Sequence, residues 1–184
     1  MANNAGKIVF GRADISISPW VTAGGAGSFV SAGHTEGDAI LELDKEDLSE
    51  GSEQVLGKLF QEPIGFGMRL KYAAKEASLD LMGDYLQQIA ANLTGTAPNK
   101  TLLIGEPTAV YKQIKIVTTG EATLQSGLKA IQTITLYRCA MLKPEPLSFA
   151  KGKVRLLGFT WEVMYDESMT TLDKYGKIVN ASGT

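Results

Sequence analysis

The chain has 184 residues, 44% of them hydrophobic and 21% charged, which suits one globular domain and excludes a disordered chain. Eighteen Lys and Arg against twenty Asp and Glu leave a formal net charge of −2, so no basic surface points to nucleic-acid binding. The lone cysteine, Cys139, excludes an internal disulfide framework and a cysteine-based zinc cluster.

The start, MANNAGKIVFGRADIS, lacks the apolar segment of a signal peptide, and no run reaches membrane-spanning length. Synthesis and folding in a cytoplasm are therefore expected. Lys7–Ser18 reads as the first strand. Thr22–Gly37 is the loosest stretch, a loop by composition. Its Gly24–Gly27 run lacks the spacing and the following Lys of a phosphate loop. His34, the one histidine, sits there beside Glu36 with no second histidine or cysteine near in sequence, too little for acid–base or metal chemistry.

Residues 37–60 then crowd Asp38, Glu42, Asp44, Glu46, Asp47, Glu50 and Glu53 around a single base, Lys45, before Lys58. Calcium-loop spacing fails, because Asp44 and Glu46 are followed by Leu48 where a third oxygen ligand belongs. A pair of glycosidase carboxylates would need a sugar cleft that no aromatic cluster marks. As an extended segment, Ala39–Asp47 places Glu42, Asp44 and Glu46 on one face and Leu41 and Leu43 on the other. With Ser49–Ser52 as the turn and Glu53–Phe60 returning, the stretch predicts a long hairpin with one acidic side.

Residues 63–74 alternate again: Ile64, Phe66, Met68, Leu70 and Tyr72 form one row, and Gly65, Gly67, Arg69 and Lys71 the other. The helical signal is Met82, Tyr85, Leu86, Ile89 and Leu93 at helical spacing, with Ser78 as N-cap, Asp80 in the first turn and Gly95 as stop. Leu102–Ile104 adds a short strand, and Tyr111–Thr119 a longer one. Ala130–Lys143 is apolar on both faces in its second half, as in a strand covered on both sides. After a turn at Pro144–Pro146 and the basic run Lys151–Lys153, Leu157, Phe159, Trp161, Val163 and Tyr165 make a final apolar row. The composition and pattern predict a mainly β fold, a helix-flanked β-sandwich or barrel. An N-terminal arm (about 1–7) and a C-terminal arm (about 167–184) lack core-forming pattern. No catalytic, cofactor or metal site is legible.

This order of features resembles the tail tube (major tail) proteins of long-tailed bacteriophages. It is carried by the strand at Lys7–Ser18, the HTEG turn (His34–Gly37) before a long hairpin and the strand-into-helix segment EPIGFGMRLKYAAKEASLDLMGDYL. The strand near YKQIKIVTTG and the closing pair Gln132–Glu167 complete it. The resemblance runs from about residue 6 to residue 180 and rests on layout, without a catalytic fingerprint. It implies a non-enzymatic structural subunit that forms hexameric rings stacked into a tube for genome delivery. Its partners would be further copies of itself, tape-measure and tail-end proteins, and double-stranded DNA that passes without sticking. Its place would be the virion, after synthesis in a bacterial host, with no insertion of this chain into a membrane. The implied lumen lining is Glu42, Asp44 and Glu46, and the implied contacts between subunits or rings fall on Lys45, Asp47, Glu50, Arg69 and Lys71. A soluble β-sandwich module for carbohydrate or adhesion is the alternative from a different class. A small hydrolase using His34 or the acidic cluster is a third.

Overall fold

Alternating apolar residues become strands here because every second side chain can be laid against a shared core. The computed structural model describes residues 6–10, 13–25, 27–33, 35–51, 58–75, 78–96, 98–123, 129–142, 144, 156–170 and 172–182. Among them the strands are β1 (Gly6–Phe10), β2 (Ala13–Pro19), β3 (Val30–Ser31), β4 (Thr35–Gly51), β5 (Lys58–Ala74), β6 (Leu93–Thr94), β7 (Thr101–Leu102), β8 (Tyr111–Thr123), β9 (Lys129–Met141), β10 (Leu157–Val163) and β11 (Gly176–Ser182). Among the described residues the one α-helix, α1, spans Leu79–Tyr85.

Among the described residues nine strands form one sheet in the order β1-β4-β5-β10-β9-β8-β2-β3, with β11 on β9, and β6 and β7 pair separately. All of the pairings are antiparallel. One edge of β9 is shared end to end. Cys139–Met141 pair with β10, and Ala130–Leu136 pair with β11. The inner faces of β2, β4, β5, β8, β9 and β10 supply one core, and Leu81 and Tyr85 of α1 join it.

Four aromatic rings organise that core. Phe159 stacks on Tyr72 (5.0 Å between centroids) and on Trp161 (6.0 Å), and Tyr85 meets Phe159 edge-on at 5.4 Å. Each such pair adds about 0.5–1.5 kcal/mol beyond the area it buries. In β10 the predicted alternation holds along the whole strand, with Leu157, Phe159, Trp161 and Val163 buried and the residues between them half-buried. The mainly β, helix-flanked architecture matches the expectation from the sequence.

Several elements differ from it. Lys7–Ser18 is two strands, with β1 on β4 and β2 between β8 and β3. The glycine-rich loop holds a 3-10 turn at Thr22–Gly24 as well as β3. Thr35–Gly37, predicted as a turn, lies within β4, where the register passes from Glu36↔Ala73 to Ile40↔Lys71 and three residues face one. Gly37 takes φ 76° inside that bulge, a backbone angle that favours glycine.

The hairpin is longer than predicted. Ser49, Glu50 and Gly51, where the turn was predicted, are strand, paired with Gln61, Phe60 and Lys58. Residues 52–57, Ala26, His34, Glu145, Pro146 and the run 151–153 lie outside the described residues.

Helix α1 is shorter than its apolar spacing suggests. Ser78 caps it as expected, its hydroxyl accepting from Leu81 N at 3.2 Å. The helix nevertheless stops before Gln87, which adopts φ 55°. Gln87 N and Gln88 N bond back to Asp84 O (3.1 Å) and Gly83 O (2.8 Å) to close the helix, and Gln87 Nε2 donates to Met141 O at 2.8 Å. Ile89 is exposed, Leu93 is in β6, and Gly95 serves the turn beyond β6 with φ 83°. The short strand expected at Leu102–Ile104 is Thr101–Leu102. Part of the expected C-terminal arm folds back, with Gly176–Ser182 pairing with β9 as β11. At the other terminus, Gly6 and Lys7 already belong to β1.

Candidate functional site

The hairpin of β4 and β5 outgrows the rest of the sheet. On one side β1 pairs with β4 only as far as Leu43, and on the other β10 pairs with β5 only as far as Met68. From Asp44↔Gly67 to Gly51↔Lys58 the two strands pair with each other and, among the described residues, with no third strand. Eight residues of strand make a ribbon about 26 Å long. A lone two-stranded ribbon is marginal in water, and near its base this one is braced by Phe66, which meets Tyr175 edge-on at 5.0 Å. Glu46, Asp47 and Glu50 fall on this ribbon, opposite Gly65, Pro63 and Phe60, and Lys45 stands opposite Phe66.

At the ribbon's base the register aligns charged residues across strands. Lys7 of β1 is opposite Glu42 of β4, Glu42 is opposite Arg69 of β5, and Arg69 is opposite Glu162 of β10. The row continues through Ala140 of β9 to Tyr111 of β8. Cross-strand pairs of opposite charge contribute roughly 0.2–1 kcal/mol each. Glu42 also reaches diagonally to Lys71, at 2.7 Å. Leu41 is buried and Glu42 half-buried, as the alternation requires. Asp44 lies across from Gly67, where an added Cβ would stand 3.6 Å from the Asp44 Cβ.

The candidate residues therefore divide. Glu42, Arg69 and Lys71 meet on one face, where Lys71 is engaged by its own chain. Asp44 and Glu46 continue the same strand into the ribbon, as do Lys45, Asp47 and Glu50. Among the described residues no group of three or more His, Cys, Asp or Glu gathers as metal ligands do. No described helix is long and apolar enough to cross a membrane.

A second charged centre, which periodicity does not reveal, ties the chain's two ends together. Asp166 is fully buried and accepts from Trp20 Nε1 at 3.0 Å and from Ser168 N at 3.1 Å, as well as from the Ser168 hydroxyl. Burial alone would raise its pKa, but these hydrogen bonds and the nearby Arg138 charge outweigh it and hold the carboxyl below its usual value. Arg138 in turn lies over the rings of Tyr111 (4.1 Å) and Trp20 (5.3 Å). Ser168 Oγ accepts from Ala23 N, and Tyr137 OH donates to Asp173 at 2.8 Å. Burial first, then the Asp173 carboxylate, pushes the Tyr137 phenol up to about 12. These contacts fasten Asp166, Ser168 and Asp173 in place shortly before β11.

The described residues thus form an antiparallel β-sheet protein whose long hairpin runs past the strands on either side of it. No protein-family model matches the sequence, and no curated protein matches it. Among solved structures the chain is similar to one described as "Cryo-EM structure of the anti-feeding prophage (AFP) baseplate, 6-fold symmetrised". That likeness covers 92% of this chain and 93% of the other, at 12% identity and a TM-score of 0.49.

Proposed function

We propose that this chain is a structural component of a phage tail or tail-like particle, and within that class the subunit of a tail tube. The observation that carries this is the ribbon from Asp44 to Gly67, which projects past both flanking strands and pairs with no third strand among the described residues. A free ribbon and open edges are liabilities in a monomer, and an ordered assembly consumes them in fixed register. The order of elements resembling tail tube proteins supports the same role.

In this role six copies close into a ring, and rings stack into a conduit for genome delivery in the virion. Tape-measure and tail-end proteins are its further partners. An inner barrel of about 24 strands at ~4.8 Å spacing has a circumference of at least ~115 Å, wide enough to pass a DNA duplex. The carboxylates of Glu42, Asp44 and Glu46 are assigned to the lining, where they keep DNA sliding by repelling its phosphates. Glu42 is already balanced by Lys71, so the repulsion rests mainly on Asp44 and Glu46.

Electron microscopy of the purified protein tests the assignment. Six-fold rings or hollow tubes are expected. Particles that stay single at every concentration would overturn it and favour a soluble binding module.

A further inference from the structure

Two sets of apolar side chains stand in water at opposite ends of β9. At one end Leu103 and Ile104 are 53% and 76% exposed, on the loop that follows β7. The loop is pinned in place: Leu103 N donates to Asn92 O (2.8 Å), Gly105 N to Gln88 Oε1 (2.9 Å) and Thr108 N to Gln87 O (3.0 Å). Gln88 is itself buried. Its Nε2 donates to Leu86 O and Gly105 O, and its Oε1 also accepts from Asn92 Nδ2. A buried amide with its bonds filled is thus used to hold two apolar side chains rigidly outward. Gln87 fixes this unit to Met141, the last residue of β9.

At the other end lies β11. It is bonded to β9 along one edge, and its other edge has no partner among the described residues. Ile178, opposite Ile134, and Val179, opposite Thr133, are 55% and 48% exposed on alternate faces. The buried row Ile116–Ile134 thus runs on to Ile178, which no described residue of this chain covers fully. The two sets are tied to β9 at Met141 and at Ile134, positions about 23 Å apart along the strand. Their charges are opposite. Glu106 follows the Leu103–Ile104 pair, and Lys177 precedes Ile178 with Lys174 close by in the chain.

We propose that these are the two halves of one contact between copies: the loop Leu103–Glu106 of one molecule seats against β11 of the next, with Glu106 facing Lys177. The inference rests on the self-assembling role proposed above. Two different patches on one molecule make a head-to-tail contact, in which each docking leaves a free loop and a free seat, and the chain of contacts closes into a ring or continues as a filament. A rigid loop keeps the ordering cost of the contact low.

Sedimentation velocity of the full chain and its variants tests it. Wild type is expected to form oligomers that grow with concentration. A loop variant (Leu103→Asp with Ile104→Asp) and a seat variant (Ile178→Asp with Val179→Asp) should each sediment as monomers. An equimolar mixture of the two should give a one-to-one dimer, joined by the one remaining intact loop and seat. Should the seat variant lose β11, the charge pair gives a second arm. Glu106→Lys is expected to raise the concentration needed for assembly by about tenfold. Adding Lys177→Glu to the same chain should restore it. Variants that assemble as wild type does, a mixture that stays monomeric, or a charge reversal without rescue would overturn the contact and leave the self-assembling role intact. A wild type that never assembles would overturn that role itself.

Discussion

The indole of Trp20 donates to the carboxylate of Asp166 across 3.0 Å, joining residues 146 apart in the sequence. With Ser168 on the same carboxylate and Arg138 stacked over Trp20, this one contact fastens the loop after β2 to the segment leading into β11.

Replacing Asp166 with Ala leaves the Trp20 N–H and the Ser168 groups without their acceptor in a buried site. Hydrogen bonds to a charged group are worth about 1.5–3 kcal/mol each, and the loss here is expected at roughly 2–4 kcal/mol in urea unfolding. The pH dependence has a definite sign. The folded pKa of Asp166 lies below its unfolded value of about 3.9, so its contribution is complete above that value and is lost as pH falls through the lower folded pKa. Stability of the wild type should therefore drop more steeply below about pH 4 than that of Asp166→Asn. Parallel curves for the two proteins would contradict this.

Gly176 opens β11 with its Cα close to β9. A Cβ there would collide with Thr135 O and stand 3.1 Å from Leu136 Cα, both backbone atoms. Gly176→Ala should lift the start of β11 off β9 at a cost of about 1–3 kcal/mol, the range seen for overpacking. Hydrogen exchange at Lys177, Val179 and Ala181 should speed up while exchange at Ile114 and Ile116 stays as it was. Uniform protection in the variant would show that β9 yields instead.

Cys139 is fully buried in the core, and burial drives its thiol pKa far above the ordinary value. Its reaction with an aromatic disulfide reagent should be negligible in the native protein at about pH 8 and should appear with the same midpoint as global unfolding in urea. Fast labelling without denaturant would mean that β9 opens locally.

Legibility in the sequence followed how local each cause was. The buried row of β10 could be read directly, because period two and burial coincide at every position from Leu157 to Val163. Ser78 as helix cap was equally readable, since the bond it makes is three residues away. The helix end was not. Tyr85, Leu86 and Ile89 keep helical spacing and no glycine marks the stop, because Gln87 itself takes the left-handed φ of 55° while Gln87 N and Gln88 N bond back to Asp84 O and Gly83 O. Strand β11 carries no alternating apolar row because it is an edge with both faces open, so it resembled an arm. That Glu42 and Asp44 share one face of β4 was readable by parity. The row Lys7–Glu42–Arg69–Glu162 was not, because it exists only once β5 and β10 have found their register.

The shared edge of β9 also governs the order in which the molecule can form. The β4–β5 and β8–β9 pairs join neighbours in the chain and close over short connections, but β10 must insert between β5 and β9. Its pairing of Leu157 with Ala74 encloses most of the central chain in one loop. Closing a loop of that length before any reward arrives is slow, so folding on the millisecond-to-second scale typical of non-local β topologies is expected. A chain emerging from the ribosome would hold β5 and β9 unjoined until β10 appeared, and β11 would be the last strand added.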